Sequence, residues 1–162
     1  MSILKAFDLS GKTALVTGAR RGIGRGMAEA LAQAGADIIG VSHSMEADGG
    51  EAGAAIRALG RKFSGYACDF SDRAALRGFA AQVLKDHPTI DILVNNAGII
   101  KRTPILEMAL EDFKQVIEVD LISPLIVSRR VVPSMIERRA GKIINMCSMM
   151  SVYGRQNVSA YA

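Results

Sequence analysis

Residues 13–24 read TALVTGARRGIG, and this stretch decides the fold. Its first five residues form an apolar, β-branched run that is typical of a buried strand. Three glycines follow, and a helical pattern begins at about Ile23 and runs to Ala34, with Gly35 as its C-terminal cap. The stretch therefore predicts a strand, a tight turn and a helix in direct succession.

The glycines of this turn, Gly18, Gly22 and Gly24, have the spacing G-x-x-x-G-x-G. This differs from the G-x-G-x-x-G spacing of the common dinucleotide fingerprint. A glycine-rich turn lets phosphates approach backbone N–H groups at a helix N-terminus, where the helix dipole favours negative charge. Glycines alone also serve a plain tight turn. The position between a strand and a helix favours dinucleotide binding.

The same succession of apolar run, turn and helical stretch repeats along the chain. The predicted strands are residues 13–17, 37–41, 62–68, 90–94 and 142–146. The first two predicted helices are residues 23–34 and 51–59. A third helix begins after Ser71, its N-cap, and ends before His87. A long helical region covers residues 110–138, with an interruption at Pro124 and a bend at Pro133. This alternation predicts an α/β fold, a Rossmann-like doubly wound parallel sheet with helices on both faces, in which residues 1–162 form one domain.

Composition excludes several other classes of protein. Of the 162 residues, 49% are hydrophobic and 22% are charged, which excludes a mainly disordered chain. The net charge of +4 comes from scattered basic residues without interleaved aromatic residues, so no nucleic acid partner is expected. No apolar stretch is long enough for a membrane span. Cys68 and Cys147 lack disulfide or metal spacing, which indicates a cytoplasmic protein without a metal site.

Further motifs follow the later strands. Asp69 follows the third strand, Asn95-Asn96-Ala97-Gly98 follows the fourth, Ser148 follows the fifth, and Tyr161 stands thirteen residues after Ser148. Together with the glycine turn, these motifs resemble the short-chain dehydrogenase/reductase family from Leu9 to Ala162. The resemblance implies an NAD(P)-dependent oxidoreductase and the first five of the family's seven strands.

The motifs and the resemblance together give the expected cofactor-binding residues. These are Gly18, Arg20, Arg21, Gly22, Ile23, Gly24, Ser42, Asp69, Phe70, Asn96, Ala97 and Gly98. An acidic residue at the end of the second strand would bind a ribose 2′-hydroxyl and repel a 2′-phosphate. Ser42 stands there, and no carboxylate follows until Glu46. The sequence therefore favours NADP, with NAD as the alternative, and Arg20 and Arg21 either bind the 2′-phosphate or are solvated surface charges.

The resemblance also implies the catalytic residues. Tyr161 would exchange a proton with the substrate, and Ser148 would donate a hydrogen bond to the substrate oxygen. Asp120 stands where the family has asparagine, whose main-chain carbonyl holds a relay water; the alternative is a carboxylate folded onto nearby backbone. The family's lysine, four residues after the tyrosine, would fall at position 165. We therefore expect a C-terminally incomplete domain, in which residues 1–162 alone give negligible turnover and the complete protein is the enzyme; the alternative from another class is an inactive dinucleotide-binding module.

Two groups within the family supply the substrate hypothesis. Residues 99–102 and 144–151 are similar to gluconate 5-dehydrogenases, and residues 36–40 and 58–63 are similar to 2-deoxy-D-gluconate 3-dehydrogenases. The resemblance implies a small sugar acid such as gluconate or 5-ketogluconate, with Lys101, Arg102 and Arg155 as candidates for its carboxylate and Met149 beside it. A 3-oxoacyl-carrier-protein reductase is the alternative. The family also implies a homodimer or homotetramer that pairs through residues 110–138.

Overall fold

A computed structural model describes residues 3–162 as one parallel sheet covered by helices. The five strands are β1 (Thr13–Thr17), β2 (Asp37–Ser42), β3 (Phe63–Ala67), β4 (Ile92–Asn95) and β5 (Lys142–Asn145). They pair in the order β3-β2-β1-β4-β5, and every pairing is parallel. The predicted doubly wound sheet is confirmed.

Helices follow each of the first four strands. The helices are α1 (Gly22–Gln33), α2 (Gly50–Ala58), α3 (Arg73–Asp86), α4 (Leu110–Ile117), α5 (Ser123–Glu137) and the short α6 (Met150–Tyr153), and a 3-10 helix (Ile3–Phe7) precedes β1. No helix in the described part of the chain combines the length and the apolar character that crossing a bilayer requires.

Alternation along the central strands divides the core into two layers. Ala14 and Val16 point to one face, where they pack with residues of α1 and α2. Leu15 points to the opposite face, where it packs with residues of α3 and α5. Because neighbouring strand residues point to opposite faces, both faces of the sheet are buried at β1.

The start of α3 differs from the sequence-based prediction. The capping residue is Asp72, whose carboxylate accepts hydrogen bonds from the N–H groups of Ala74 (2.8 Å) and Ala75 (3.1 Å). Ser71 instead donates its N–H and O–H to Asp69 Oδ1. The prediction of a Ser71 cap was wrong because this contact turns Ser71 back toward the preceding loop.

The long helical region is interrupted before Pro124, as predicted, and the interruption is a π-helical turn. Residues Glu118–Ile122 form this turn between α4 and α5. Proline has no N–H to donate to the carbonyl one helical turn earlier, and a wider turn accommodates that loss. At Pro133 no break occurs, since α5 continues through it. Asp120 lies within the π-helical turn.

The strand β5 lies at one edge of the described sheet. All four of its residues are exposed, including Ile143 and Ile144. By contrast, β4 is buried along its whole length. The residues that follow β5, among them Ser148, therefore extend from the least buried strand of the described sheet.

Candidate functional site

The carboxyl ends of the parallel strands form two neighbouring clefts. The first, here named the glycine-turn cleft, has a volume of about 600 Å³. All twelve cofactor-binding candidates line it: Gly18, Arg20, Arg21, Gly22, Ile23, Gly24, Ser42, Asp69, Phe70, Asn96, Ala97 and Gly98. Residues far apart in sequence meet here because parallel strands bring their carboxyl ends to one edge.

Backbone hydrogen bonds hold the glycine turn against the end of β2. The N–H groups of Gly18 and Ala19 both donate to the carbonyl of Val41, at 2.8 and 3.3 Å. The N–H of Arg20 donates to Ser42 Oγ at 3.1 Å. Ser42 therefore positions the turn in addition to lining the cleft.

Thr17 and Asn96 join the turn to the end of β4. Thr17 Oγ1 accepts hydrogen bonds from the N–H groups of Asn96 and Ala97, each at 2.9 Å, and Asn96 Nδ2 donates to the carbonyl of Thr17 at 2.9 Å. A Cβ at Gly18 would lie 2.7 Å from Asn96 Nδ2, and a Cβ at Gly24 would overlap the Gly18 carbonyl oxygen. Sequence reasoning assigned Thr17 no role, although a buried threonine at the end of a strand beside a glycine turn indicates such a contact.

The turn fits the phosphates of a dinucleotide. A Cβ built on Gly22, which has φ +61°, meets no atom within 4 Å. The N-terminus of α1 has no side-chain cap, whereas Asp72 caps α3. The first N–H groups of α1 therefore face the cleft without a side-chain acceptor, and anions bind favourably to such groups.

Asp69 and His43 provide ionisable groups in the lining of the glycine-turn cleft. Asp69 Oδ1 accepts the N–H (2.8 Å) and O–H (2.7 Å) of Ser71, and His43 Nδ1 lies 3.7 Å from Oδ2. These hydrogen bonds, with a smaller contribution from His43, hold the pKa of Asp69 below its ordinary value. The carboxylate thus stays ionised and can accept a further hydrogen bond.

The two arginines of the turn differ in their surroundings. Arg20 forms a bidentate ion pair with Glu46, which neither predicted alternative for Arg20 included. Arg21 lines the same cleft, and it forms no ion pair within residues 3–162. The positive charge available to a ligand in this cleft therefore comes mainly from Arg21.

The second cleft, here named the Ser148 cleft, has a volume of about 850 Å³ and shares the loop Asn96–Ile99 with the first. The three catalytic candidates and two of the three candidates for the substrate carboxylate line it: Asp120, Ser148, Tyr161, Arg102 and Arg155. Met149 lies outside this lining and is exposed, while its neighbour Met150 lines the cleft. A place for Met149 beside the substrate stays a prediction, while Met150 is the methionine of this pair that lines the cleft.

Ser148 stands in the turn between β5 and α6. Its Oγ accepts a hydrogen bond from the N–H of Met150 at 3.2 Å, and its carbonyl accepts from Ser151. Because this Oγ acts as an acceptor, its own hydrogen remains available to a substrate oxygen. Tyr161 lies on a turn in which its N–H donates to the carbonyl of Val158 at 2.9 Å.

Asp120 connects the π-helical turn to the loop shared by both clefts. Its Oδ1 accepts the N–H of Ile99 at 2.8 Å. Burial raises the pKa of Asp120 above its ordinary value, and the hydrogen bond from Ile99 opposes that shift. The carboxylate does contact backbone, as one alternative predicted, but the backbone is that of a distant loop.

Two more side chains of this region bind other protein groups. Lys101 pairs with Asp112 at 3.0 Å and does not line the Ser148 cleft. Asn95 Nδ2 donates to Asn145 Oδ1 (2.8 Å) and Ser128 Oγ (3.1 Å), which ties β4 to β5 and α5. Within residues 3–162, no three metal-ligating side chains are grouped to hold a metal ion.

Comparison with known proteins gives a consistent result. The family model described as short chain dehydrogenase matches residues 12–162. The chain is 50% identical to the 2-dehydro-3-deoxy-D-gluconate 5-dehydrogenase of Pseudoalteromonas atlantica, over 99% of this chain and 63% of that relative.

Solved structures agree with the sequence match. A candidate NAD(P) dependent gluconate 5-dehydrogenase from Beutenbergia cavernae, crystallised with NADP, matches with a TM-score of 0.88 and 35% identity, over 96% of this chain and 61% of that one. A metagenomic short-chain oxidoreductase in complex with NADP matches with a TM-score of 0.89 and 35% identity, over 94% of this chain and 68% of that one. The chain spans about three-fifths of the length of the curated relatives it matches.

Proposed function

Because the chain belongs to the short chain dehydrogenase family, we propose that the protein is an NAD(P)-dependent oxidoreductase acting on a sugar acid. It would transfer a hydride between a nicotinamide cofactor and a hydroxyl or keto group of that substrate. One observation carries the proposal: the glycine-turn cleft and the Ser148 cleft share one loop, Asn96–Ile99. A dinucleotide bound along that loop would reach from the phosphate-binding turn to the side chains that handle a proton.

The chemistry divides between Ser148 and Tyr161. A bound nicotinamide would supply the hydride acceptor or donor. In the oxidation direction, Tyr161 in its phenolate form takes the proton of the substrate hydroxyl on Oη as the carbon–hydrogen bond breaks and the carbonyl forms. Ser148 donates a hydrogen bond to the same substrate oxygen and stabilises the charge that develops on it. In the reduction direction the proton returns from Tyr161 to that oxygen.

Two arginines support an acidic substrate. Arg102 and Arg155 line the Ser148 cleft, and no ion pair holds either of them within the described part of the chain. A guanidinium binds a carboxylate with two parallel hydrogen bonds, which would orient one end of an aldonic acid. The names of the similar proteins from Pseudoalteromonas atlantica and Beutenbergia cavernae agree with this choice, since both are named for gluconate-type acids.

For the cofactor, we propose NADP, with NAD as the alternative. Ser42 at the end of β2 presents no carboxylate to a ribose, and Arg21 lines the cleft beside it. Two structurally similar proteins were crystallised with NADP.

The proposed assembly is a homodimer or homotetramer that pairs through α4 and α5. Leu110 and Phe113 lie one helical turn apart on α4, and both are exposed. Light scattering of the purified protein tests this, and a monomer at every concentration would contradict it.

Turnover assays with a matched substrate panel test the function. The panel contains 5-ketogluconate, 2-dehydro-3-deoxy-D-gluconate, the uncharged polyol sorbitol and an acetoacetyl thioester, each with both nicotinamide cofactors. We expect turnover of a sugar acid and little of sorbitol, which lacks the carboxylate. Turnover of the thioester without turnover of either acid would favour a 3-oxoacyl-carrier-protein reductase and overturn the proposed substrate class.

A further inference from the structure

The ion pair between Arg20 and Glu46 lies at the edge of the glycine-turn cleft. Arg20 Nε lies 3.2 Å from Glu46 Oε2, and Arg20 Nη2 lies 2.7 Å from Glu46 Oε1. Arg20 lines the cleft, whereas Glu46 stands outside the lining in the loop between β2 and α2. Glu46, a residue outside the lining, therefore pairs with Arg20, a residue of the lining.

The loop holds Glu46 in this position. Its carbonyl accepts the N–H of Gly49 at 2.8 Å, and a Cβ on Gly65 of β3 would lie 2.7 Å from that same oxygen. Its carboxylate packs over Gly50, where a Cβ would lie 2.9 Å from Oε2. Glu46 is thus fixed against the turn that begins α2 and against β3.

The pairing occupies the part of Arg20 that an oxyanion would use. A guanidinium binds carboxylates and phosphates through the same planar pair of N–H groups. A phosphate that approaches Arg20 must displace Glu46 or use the remaining N–H groups at its edge. In either case the negative charge of Glu46 stays close and opposes the second anion.

We propose that Glu46 is a specificity-determining residue that weakens the binding of a 2′-phosphate and so limits the preference for NADP over NAD. The inference rests on the proposed function, in which the glycine-turn cleft holds a nicotinamide dinucleotide. Arg21 attracts the 2′-phosphate, whereas the pairing with Glu46 reduces the attraction that Arg20 contributes. The preference for NADP over NAD is then small, and loss of the Glu46 charge makes NADP binding stronger.

The test compares two adenine nucleotides that differ only in the 2′-phosphate. Adenosine 2′,5′-bisphosphate and 5′-AMP are titrated by calorimetry into the wild-type protein, Glu46→Gln and Glu51→Gln. Glu51 is a matched control, since it lies nearby on α2 and pairs with Arg25, a residue outside the cleft lining, at 2.8 Å. We expect Glu46→Gln to tighten the bisphosphate by about threefold, because an exposed ion pair contributes only a modest interaction. Binding of 5′-AMP should stay unchanged, and Glu51→Gln should change the binding of either nucleotide far less than Glu46→Gln changes that of the bisphosphate, since Glu51 acts on Arg20 only through a weak charge interaction.

A second variant keeps the test decisive if Glu46→Gln disturbs the loop. Arg20→Met removes the group that Glu46 is proposed to hold, and Glu46→Gln in that background should tighten the bisphosphate by less than it does in the wild-type background, because only the direct repulsion between Glu46 and the phosphate is then relieved. Equal affinities in wild type and Glu46→Gln, or equal gains for both nucleotides, would overturn the inference and leave the proposed function intact. Failure of every variant and the wild type to bind either nucleotide would contradict the proposed function and the inference with it.

Discussion

At the glycine turn, backbone atoms pack so closely that a Cβ on Gly24 would overlap the Gly18 carbonyl oxygen, whereas all four residues of β5 are exposed. The first region is held by hydrogen bonds among buried strands, including those of Thr17 to Asn96 and Ala97. The second region carries Ser148 and Tyr161 on short turns beside an edge strand. The comparison teaches that the proposed binding wall is also part of the core, whereas the proposed catalytic side chains lie on turns outside the core of the described residues.

The largest expected effect is on turnover, and it tests whether Tyr161 acts in catalysis and not in folding. Tyr161→Phe removes the phenol that exchanges the proton and should lower kcat by about 10²–10⁴-fold. The unfolding midpoint should stay the same, because the Tyr161 hydroxyl forms no hydrogen bond within residues 3–162. Kinetics of the active protein with its sugar acid substrate and circular dichroism measure the two quantities.

Tyr153→Phe is the matched control for this prediction. Tyr153 ends α6 in the same region, is 76% exposed and does not line the Ser148 cleft. It should leave both kcat and stability unchanged. A Tyr161→Phe variant with native kcat would remove Tyr161 from the mechanism.

The second largest effect is on stability, and it tests the close packing of the glycine turn. Gly24→Ala forces a Cβ into the Gly18 carbonyl oxygen and Asn96 Nδ2, and overpacking of this kind should cost about 3 kcal/mol of unfolding free energy. Gly26→Ala lies on the same helix, where a Cβ meets no atom within 4 Å, and should stabilise the protein by up to about 1 kcal/mol. Urea unfolding of both variants measures the difference. If the two substitutions had equal effects, the glycine turn would not be a packed part of the core.

The difference between the two regions also explains what the sequence could predict. The strands and the position of the glycine turn follow from local patterns, since apolar runs and glycines report burial and backbone geometry directly. All twelve cofactor-binding candidates reach one cleft because the carboxyl ends of parallel strands meet. The motif positions alone were therefore enough to bring together the candidate site.

The details that sequence reasoning missed share one cause, which is that several side chains compete for the same hydrogen-bond or ion-pair partner. Ser71 and Asp72 are both good helix caps, and the choice between them depended on the hydrogen bonds that Ser71 donates to Asp69. The pairing of Arg20 with Glu46 depends on the path of the loop between β2 and α2. Likewise the turn after β5 decides which of the two methionines, Met149 and Met150, lines the Ser148 cleft. No local pattern encodes these choices.

The smallest effect concerns Asp120, which contacts the loop that the two clefts share. Burial raises its pKa in the folded protein, so the folded state binds a proton more readily than the unfolded state does. Its contribution to stability is therefore fully favourable below the ordinary aspartate pKa and is lost as pH rises through the raised value. Asp120→Asn keeps an acceptor for the Ile99 N–H and removes the buried charge, so it should stabilise the protein at neutral pH by about 0.5 kcal/mol. The gain in stability should vanish in acid, where Asp120 is neutral in both the folded and the unfolded state. Urea unfolding from acid to neutral pH measures this gain. A gain that persists unchanged in acid would mean that the buried charge is not its source.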